Sequence, residues 1–281
     1  MEGSAPVRKP APSGAEVLCG GLLTTLRSHG SESRDSSGCK ETVATKAFVL
    51  AGGEGRRLAP LTTIIPKPLV PVGHLSILEI LITQLVHAGV TDVCISIGYL
   101  GHLIEAVMGD GSRLGASITY TRESTPLGTA GALGLLTDVE DDDLYLVLNG
   151  DTLTDLSFDR LLDAHRSANA AATIACHRRQ IKGEFGVLEI GPRQELVGYS
   201  EKPIIEHVVS MGVNVVEGVH INRELKPPQF CNMPDLLVKL SQTLTVHCYE
   251  HPGVWLDLGR VDDVRAANEM FAECADLFLP S

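Results

Sequence analysis

This chain has no surplus of positive charge: its formal charge is -12 and its pI is near 5.2. A protein devoted to duplex nucleic acid needs a broad phosphate-neutralising surface, so that class is excluded, and any anionic ligand has to be held locally. No apolar run approaches the roughly 20 residues of a membrane span, and no basic segment followed by an apolar one opens the chain, so a cytoplasmic protein without a membrane partner is expected. The seven cysteines are scattered without a C-x-x-C pair, which argues against zinc and against a disulfide framework; Cys94 and Cys176 fall in apolar runs and read as small buried hydrophobes. The ten histidines, with His247 and His251 as the one pair at H-x-x-x-H spacing, are assigned no catalytic role, and no Ser-His-Asp or Cys-His arrangement is present.

What the chain does have is enough length, 281 residues at 44% hydrophobic content, to bury one substantial core with room for a small second lobe. Residues 1–45 are rich in Ser, Gly, Ala and Pro and lack apolar periodicity beyond a patch at 17–26, so they read as a flexible tail outside a single domain at 46–281. From 46 onward, short apolar or β-branched runs alternate with amphipathic segments, the pattern of βαβ units around a mostly parallel sheet. Strands are expected at 47–51, 92–98, 118–121 and 144–148, and helices at 76–87, 102–108 and 129–135. After 171 strands dominate, at 172–177, 186–190, 196–200 and 208–216, which predicts a smaller α+β lobe. A helix at 234–240, a strand at 244–249, an extended segment at 254–259 and a closing helix at 261–277 complete the expectation; no internal repeat or hexapeptide β-helix is seen.

The most informative stretch follows the first strand: Leu50-Ala51-Gly52-Gly53-Glu54-Gly55-Arg56-Arg57. Glycines there let backbone N–H groups approach a ligand and form an anion-binding concavity, although a tight turn alone would also use them. It is neither G-x-G-x-x-G nor a P-loop, because no third glycine at that spacing and no Gly-Lys-Ser/Thr follows. Arg57 can fork onto two phosphate oxygens, and Lys67, in Pro66-Lys67-Pro68, is a point cation whose neighbours restrict its backbone. Asp151 follows Asn149-Gly150 at the end of a hydrophobic strand, where open α/β sheets bind ligands; it suits Mg2+ and equally a turn cap. Asp257, in Trp255-Leu256-Asp257-Leu258-Gly259, is a second acid in an apolar setting, and it too has a structural reading as a carboxylate bonded to backbone amides. Asp141, Asp142 and Asp143 read as a solvated loop.

Taken together, the glycine loop through Thr62 and the segment from Pro66 to Val72 resemble the signature of the sugar nucleotidylyltransferases, or NDP-sugar pyrophosphorylases. The resemblance runs from Lys46 to about Phe271 and is greatest to short forms acting on mannose, heptose or cyclitol 1-phosphates. It implies a Rossmann-like α/β fold, a nucleoside triphosphate and a sugar 1-phosphate as ligands, Mg2+ as cofactor, and often self-association. It makes Arg57 and Lys67 the charge-stabilising pair, and Asp151 and Asp257 the metal ligands. Nucleotide contacts fall on Leu50, Ala51, Gly52, Gly53, Gly55, Pro126, Gly128, Thr129 and Ala130, although Thr129 alone could be a helix cap. Sugar-phosphate contacts fall on Gly186, Glu201, Lys202, Ser210 and Gly212. The sequence departs from the family at Asn214, where relatives usually carry tyrosine, and at Ser210, where many carry asparagine, so sugar recognition is expected to differ.

The implied activity is transfer of a nucleotidyl group to a sugar or cyclitol 1-phosphate with release of pyrophosphate, leaning to GTP, with thymidylyl or uridylyl transfer to a hexose 1-phosphate as the alternative. A glycosyltransferase would also hold a metal on strand-end acids, but it needs no triphosphate cradle. A regulatory subunit that binds nucleotide-sugar without turnover is the non-enzymatic alternative, and the presence of both acids and both cations weighs against it.

Overall fold

The computed structural model describes residues 43–279, so the expected tail lies almost wholly outside the described residues. The chain enters through β1 (Thr45–Ala51), whose Phe48 and Val49 are fully buried, and passes through three short 3-10 turns, at Arg56–Leu58, Leu61–Thr63 and Lys67–Leu69. A minute hairpin, β2 (Pro71–Val72) and β3 (Leu75–Ser76), leads into α1 (Ile77–His87). Ser76 starts that helix: its hydroxyl accepts the Glu79 N–H while the Glu79 carboxylate accepts the Ser76 N–H, and Ile77, Leu78, Leu81, Ile82 and Leu85 are buried. Each such side chain contributes about 1.5–3 kcal/mol by leaving water.

Then come β4 (Asp92–Ile97), α2 (Gly101–Met108), β5 (Ser117–Arg122), the single turn α3 (Gly128–Gly131), β6 (Leu144–Asn149) and β7 (Thr152–Thr154). The second half runs α4 (Phe158–Ala168), β8 (Ala172–Lys182), β9 (Val187–Ile190), β10 (Leu196–Ser200), β11 (Ile204–Glu217), α5 (Gly218–Leu225), α6 (Met233–Ser241), β12 (Val246–Glu250), β13 (Trp255–Asp257) and α7 (Val261–Cys274).

One seven-stranded sheet in the order β12-β8-β11-β6-β1-β4-β5 organises the unit. All its pairings are parallel except those of β11, which runs antiparallel between β6 and β8. The sheet is mixed and mostly parallel with a core on each face, as expected. One core joins it to α1, α2 and α4, and the other to α3, α5 and α6. A third core gathers α7 against the segment after β1. Besides the β2–β3 hairpin, two ribbons among the described residues stand apart from the large sheet, β9 with β10 and β7 with β13.

Several expectations need correction. The helix expected over 129–135 is one α turn followed by a 3-10 turn at Ala132–Leu135. β8 and β11 extend well beyond the expected strands, to Lys182 and from Ile204, because their distal halves pair only with each other and do not need to be apolar. α4 and α5 were not expected: α4 buries Phe158, Leu161, Leu162 and a histidine, His165, and α5 starts on a glycine. Asp143 is not solvated; it is 5% exposed and sits 2.5 Å from the Lys46 ammonium, because β6 starts beside β1 and brings the two together.

His165 is 2% exposed with Nδ1 2.9 Å from the Thr173 hydroxyl, and burial, with the nearby charges of Arg166 and His247, pushes its pKa down to about 4. The unfolded chain protonates this ring near its ordinary value while the folded protein does not, so the stability it contributes is complete above about pH 6.5 and declines as pH falls toward about 4. Urea unfolding at stepped pH is expected to show that decline, and His165→Gln, which keeps a polar partner for Thr173, is expected to make it shallower.

Candidate active site

The site forms where β1, β4 and β6 end, at the carboxyl edge of the parallel strands. The loop after β1 and the loop after β4 touch backbone to backbone: the Tyr99 N–H donates to the Gly52 carbonyl at 3.2 Å, and a Cβ on Gly98 would lie 2.7 Å from that oxygen. Gly55, at φ 61°, turns the chain into the first 3-10 turn, and its carbonyl accepts the Thr62 hydroxyl at 2.8 Å. The loop is therefore shaped by its own frame, with its outer face toward a cleft of about 690 Å³.

Lys67 is 8% exposed, fixed by Pro66 and Pro68 at the start of its 3-10 turn. Its ammonium is ion-paired with Asp151 and lies 3.6 Å from Asp257. The two carboxylates meet because β7 and β13 pair antiparallel, with Asp257 opposite Thr152, and because the Leu258 N–H donates to the Asp151 carbonyl at 3.3 Å. Arg57 lies against the same junction, its guanidinium nitrogens 3.1 Å from where a Gly259 Cβ would be. Among the described residues no carboxylate is within ion-pair distance of Arg57, whereas its neighbour Arg56 is bonded to Glu54 at 2.5 Å.

At the other end of the cleft the turn 126–131 is clamped by residues 229–233. Ala130 and Gly131 donate their N–H groups to the Cys231 carbonyl at 3.0 and 2.9 Å, and the Cys231 N–H returns to the Leu127 carbonyl at 2.8 Å. The fit leaves no space for a Cβ: one on Gly131 would lie 2.2 Å from the Gln229 carbonyl oxygen. The Thr129 hydroxyl accepts the Met233 N–H at 2.7 Å and so caps α6, a neighbouring helix, and not its own.

Of the nucleotide and metal residues expected from sequence, Leu50, Ala51, Gly52, Gly53, Gly55, Arg57, Lys67, Pro126, Gly128, Thr129 and Asp151 line the cleft. Ala130 is fully buried beneath it, and Asp257 joins through Lys67. Ser210 and Gly212 lie at its border, where β11 bulges: Gly212, at φ 74°, packs so closely on Asn149 that a Cβ would be 2.3 Å from its side-chain nitrogen. Gly186, Glu201 and Lys202 do not line it. They gather at the base of the β9–β10 ribbon, where Glu201 accepts the Tyr199 hydroxyl at 2.8 Å and Gly186 abuts both. Asn214 is 5% exposed, and its side-chain oxygen has no hydrogen-bond partner among the described residues.

Sequence reasoning missed Glu123. It lies in the cleft just after β5, where its carboxylate accepts the Leu127 N–H at 2.6 Å and lies 3.4 Å from the Ser96 hydroxyl. Its only signal in the sequence was its place three residues before Pro126.

Comparison with known proteins gives a consistent picture. The family profile described as "Nucleotidyl transferase" matches residues 46–273. The chain is 31% identical over 238 residues to "Mannose-1-phosphate guanyltransferase beta-A" of Xenopus laevis, covering 81% of this chain and 65% of that one. It is 32% identical over 232 residues to "Mannose-1-phosphate guanylyltransferase" of Mycobacterium tuberculosis, covering 80% of this chain and 64% of that one. This chain thus spans somewhat less than two thirds of the length of both. Among solved structures it resembles a Bacillus anthracis protein described as a glucose-1-phosphate thymidylyltransferase, solved with sucrose, at TM-score 0.66 and 26% identity, covering 81% of this chain and 95% of that one. HddC from Yersinia pseudotuberculosis complexed with GMP-PN shares the fold at TM-score 0.62 and 21% identity, covering 80% and 99%.

The two ends of the cleft respond differently to one methyl group. Gly131→Ala is expected to lower the melting temperature, because the Gln229 carbonyl has to move. Gly53→Ala, whose Cβ meets nothing within 4 Å, is expected to leave melting unchanged. It should weaken triphosphate binding, measured by equilibrium titration, because the new methyl intrudes on the loop's open face.

Proposed function

The chain belongs to the nucleotidyl transferase family, and from that premise we propose that it joins a sugar or cyclitol 1-phosphate to the α-phosphorus of a nucleoside triphosphate, preferentially GTP, and releases pyrophosphate. The observation that carries this reading is the meeting of Lys67 with Asp151 and Asp257 beside a glycine loop at one cleft. The names of the mannose-1-phosphate guanylyltransferase relatives support the same choice of substrates. A cytoplasmic location and self-association belong to the proposal; no helix among the described residues is long and apolar enough to cross a membrane.

The acids fit Mg2+. Both are hard oxygen donors, and their carboxylates converge on one cationic point, the Lys67 ammonium. When bound there, the ion supplies charge neutralisation at the reacting phosphates. Everything else falls to the chain. The glycine loop offers N–H groups to the triphosphate, and Arg57, with no acid partner among the described residues, is free to fork onto phosphate oxygens. An oxygen of the sugar phosphate forms the new bond to the α-phosphorus, the bond from that phosphorus to the α,β-bridging oxygen breaks, and pyrophosphate leaves with the electron pair. No general base is needed, because a phosphate monoester with a second pKa of about 6 is already mostly dianionic at neutral pH. The protein's task is to hold two anions in line and offset their repulsion.

Glu123 supports guanine over the other bases. An ionised carboxylate only accepts, and this one is oriented by the Leu127 N–H while keeping unused lone pairs toward the cleft. Guanine presents two adjacent donors, N1–H and the 2-amino group. Thymine and uracil present one, and adenine and cytosine present an amino donor beside an acceptor.

Asp151→Asn is expected to lower kcat by about 10²–10³-fold with melting unchanged; near-normal turnover would remove this carboxylate from the mechanism. Glu123→Gln places an amide before the guanine donors and is expected to lower kcat/KM for GTP by about 1–3 kcal/mol in transition-state binding. Its effect on UTP or dTTP should be smaller, so a panel of triphosphates assayed by pyrophosphate release reads the change as a loss of preference.

A further inference from the structure

β8 carries two adjacent arginines with opposite fates. Arg178 points to one face of the sheet, where it is bonded to Glu206 at 2.7 Å and to Glu250 at 2.8 Å. Arg179 points to the other face, lies 5.8 Å from the centre of the Trp255 ring, and is exposed. Among the described residues no carboxylate lies within ion-pair distance of it, in a chain with 35 acidic and 23 basic residues. His177, two residues earlier on the same face, tilts against the same indole at 5.9 Å, and His207 of β11 stands directly opposite Arg179 in the ladder. Three nitrogen-bearing side chains thus share the face that carries Trp255; His177 Nδ1 is bonded to the His251 carbonyl at 2.9 Å, and among the described residues none of the three has a carboxylate partner.

The location gives this group a purpose. Trp255 is held by its indole N–H, which donates to the Met211 carbonyl at 3.1 Å; the next residue, Gly212, packs on Asn149 at the border of the cleft. Along β13, Trp255 and Asp257 are two residues apart and face the same side, a rise of about 7 Å. That is about the length of one sugar ring from the junction at Asp257 and Asp151. The 1-phosphate of a bound sugar would lie at that junction, so Arg179 would meet the far side of the ring.

We infer that Arg179, flanked by His177 and His207, receives an oxyanion of the sugar substrate remote from its 1-phosphate, so that the preferred substrate is a sugar 1-phosphate bearing a second phosphate or a carboxylate. This rests on the nucleotidylyl-transfer reading above. It also gives a physical meaning to the departures at Ser210 and Asn214, which border the same bulge of β11.

The test is calorimetric binding to the intact protein, with Mg2+ and a non-hydrolysable GTP analogue present. The probes are glucose and mannose 1-phosphates, their 1,6-bisphosphates, and glucuronic acid 1-phosphate. The wild type is expected to bind at least one doubly anionic probe about tenfold or more tighter than its neutral-ring counterpart. Arg179→Leu should erase the difference without weakening the neutral-ring probe, Arg179→Lys should retain part of it, and melting should be unchanged in both variants. Equal weakening of every probe in Arg179→Leu would assign the guanidinium to the 1-phosphate itself and overturn the remote position. No preference in the wild type, with no response to the substitution, would overturn the site altogether. Pyrophosphate release from the same probes with GTP separates the parent reading. If neutral sugar phosphates turn over equally well in wild type and Arg179→Leu, and the doubly anionic ones gain nothing, this inference fails alone. If no pair turns over in the wild type, the transferase reading fails whatever the binding shows.

Discussion

Two carboxylates and one ammonium, from positions 67, 151 and 257, meet at the edge of the sheet, and the rest of the site is arranged around that meeting. Two like charges brought together in a partly buried place repel strongly unless a cation lies between them. Lys67 is that cation here, 8% exposed and held by flanking prolines. The constraint explains features that otherwise look unrelated. β7 and β13 form their own small ribbon because Asp257 has to be delivered beside Asp151, and Gly259 is a glycine where the Arg57 guanidinium packs on the backbone.

The two halves of the site are built differently. The half proposed for the nucleotide is backbone against backbone: the loop at Gly52 touches that at Gly98, and the turn at 128–131 is clamped by 229–233, so small residues fix its shape to within a methyl group. The half proposed for the sugar lies toward the bulge of β11 and the distal strands of β8 and β11, whose residues are largely exposed, and the β9–β10 ribbon stands outside the lining of the cleft. Rigid positioning of a triphosphate beside a more open sugar side is a reasonable division for chemistry that consists mainly of alignment and charge. In that proposal one half holds the common reactant, and the other is open to variation in the second substrate.

Much of this was legible in the sequence because it was local. The β1 run, the helix opening at Ser76, the glycine loop and the strand-end Asp151 each announce themselves within a few residues. What escaped notice depended on partners far away. α4 was missed because the fourth position of its buried face is His165, a polar residue that breaks the apolar periodicity and is accommodated only through Thr173. Asp143 looked like one of three solvated acids until β6 paired with β1 and brought Lys46 to it. Glu123 carries no motif of its own, and its meaning comes from the Leu127 N–H that orients it. Lys202 shows the converse: a position carried over from the family resemblance lies, with Gly186 and Glu201, at the base of the ribbon and not in the lining of the cleft.

The central claim is that the α-phosphorus is the atom attacked and that pyrophosphate is what leaves. The most direct measurement follows the phosphorus atoms: GTP labelled with ³²P at either the α or the γ position, incubated with Mg2+ and a panel of sugar 1-phosphates, and the products separated. The account predicts that α-label moves into a nucleotide-sugar while γ-label appears in pyrophosphate, both depending on the same sugar phosphate. Transfer of γ-label to the sugar, or its release as inorganic phosphate with α-label left in GDP, would contradict it.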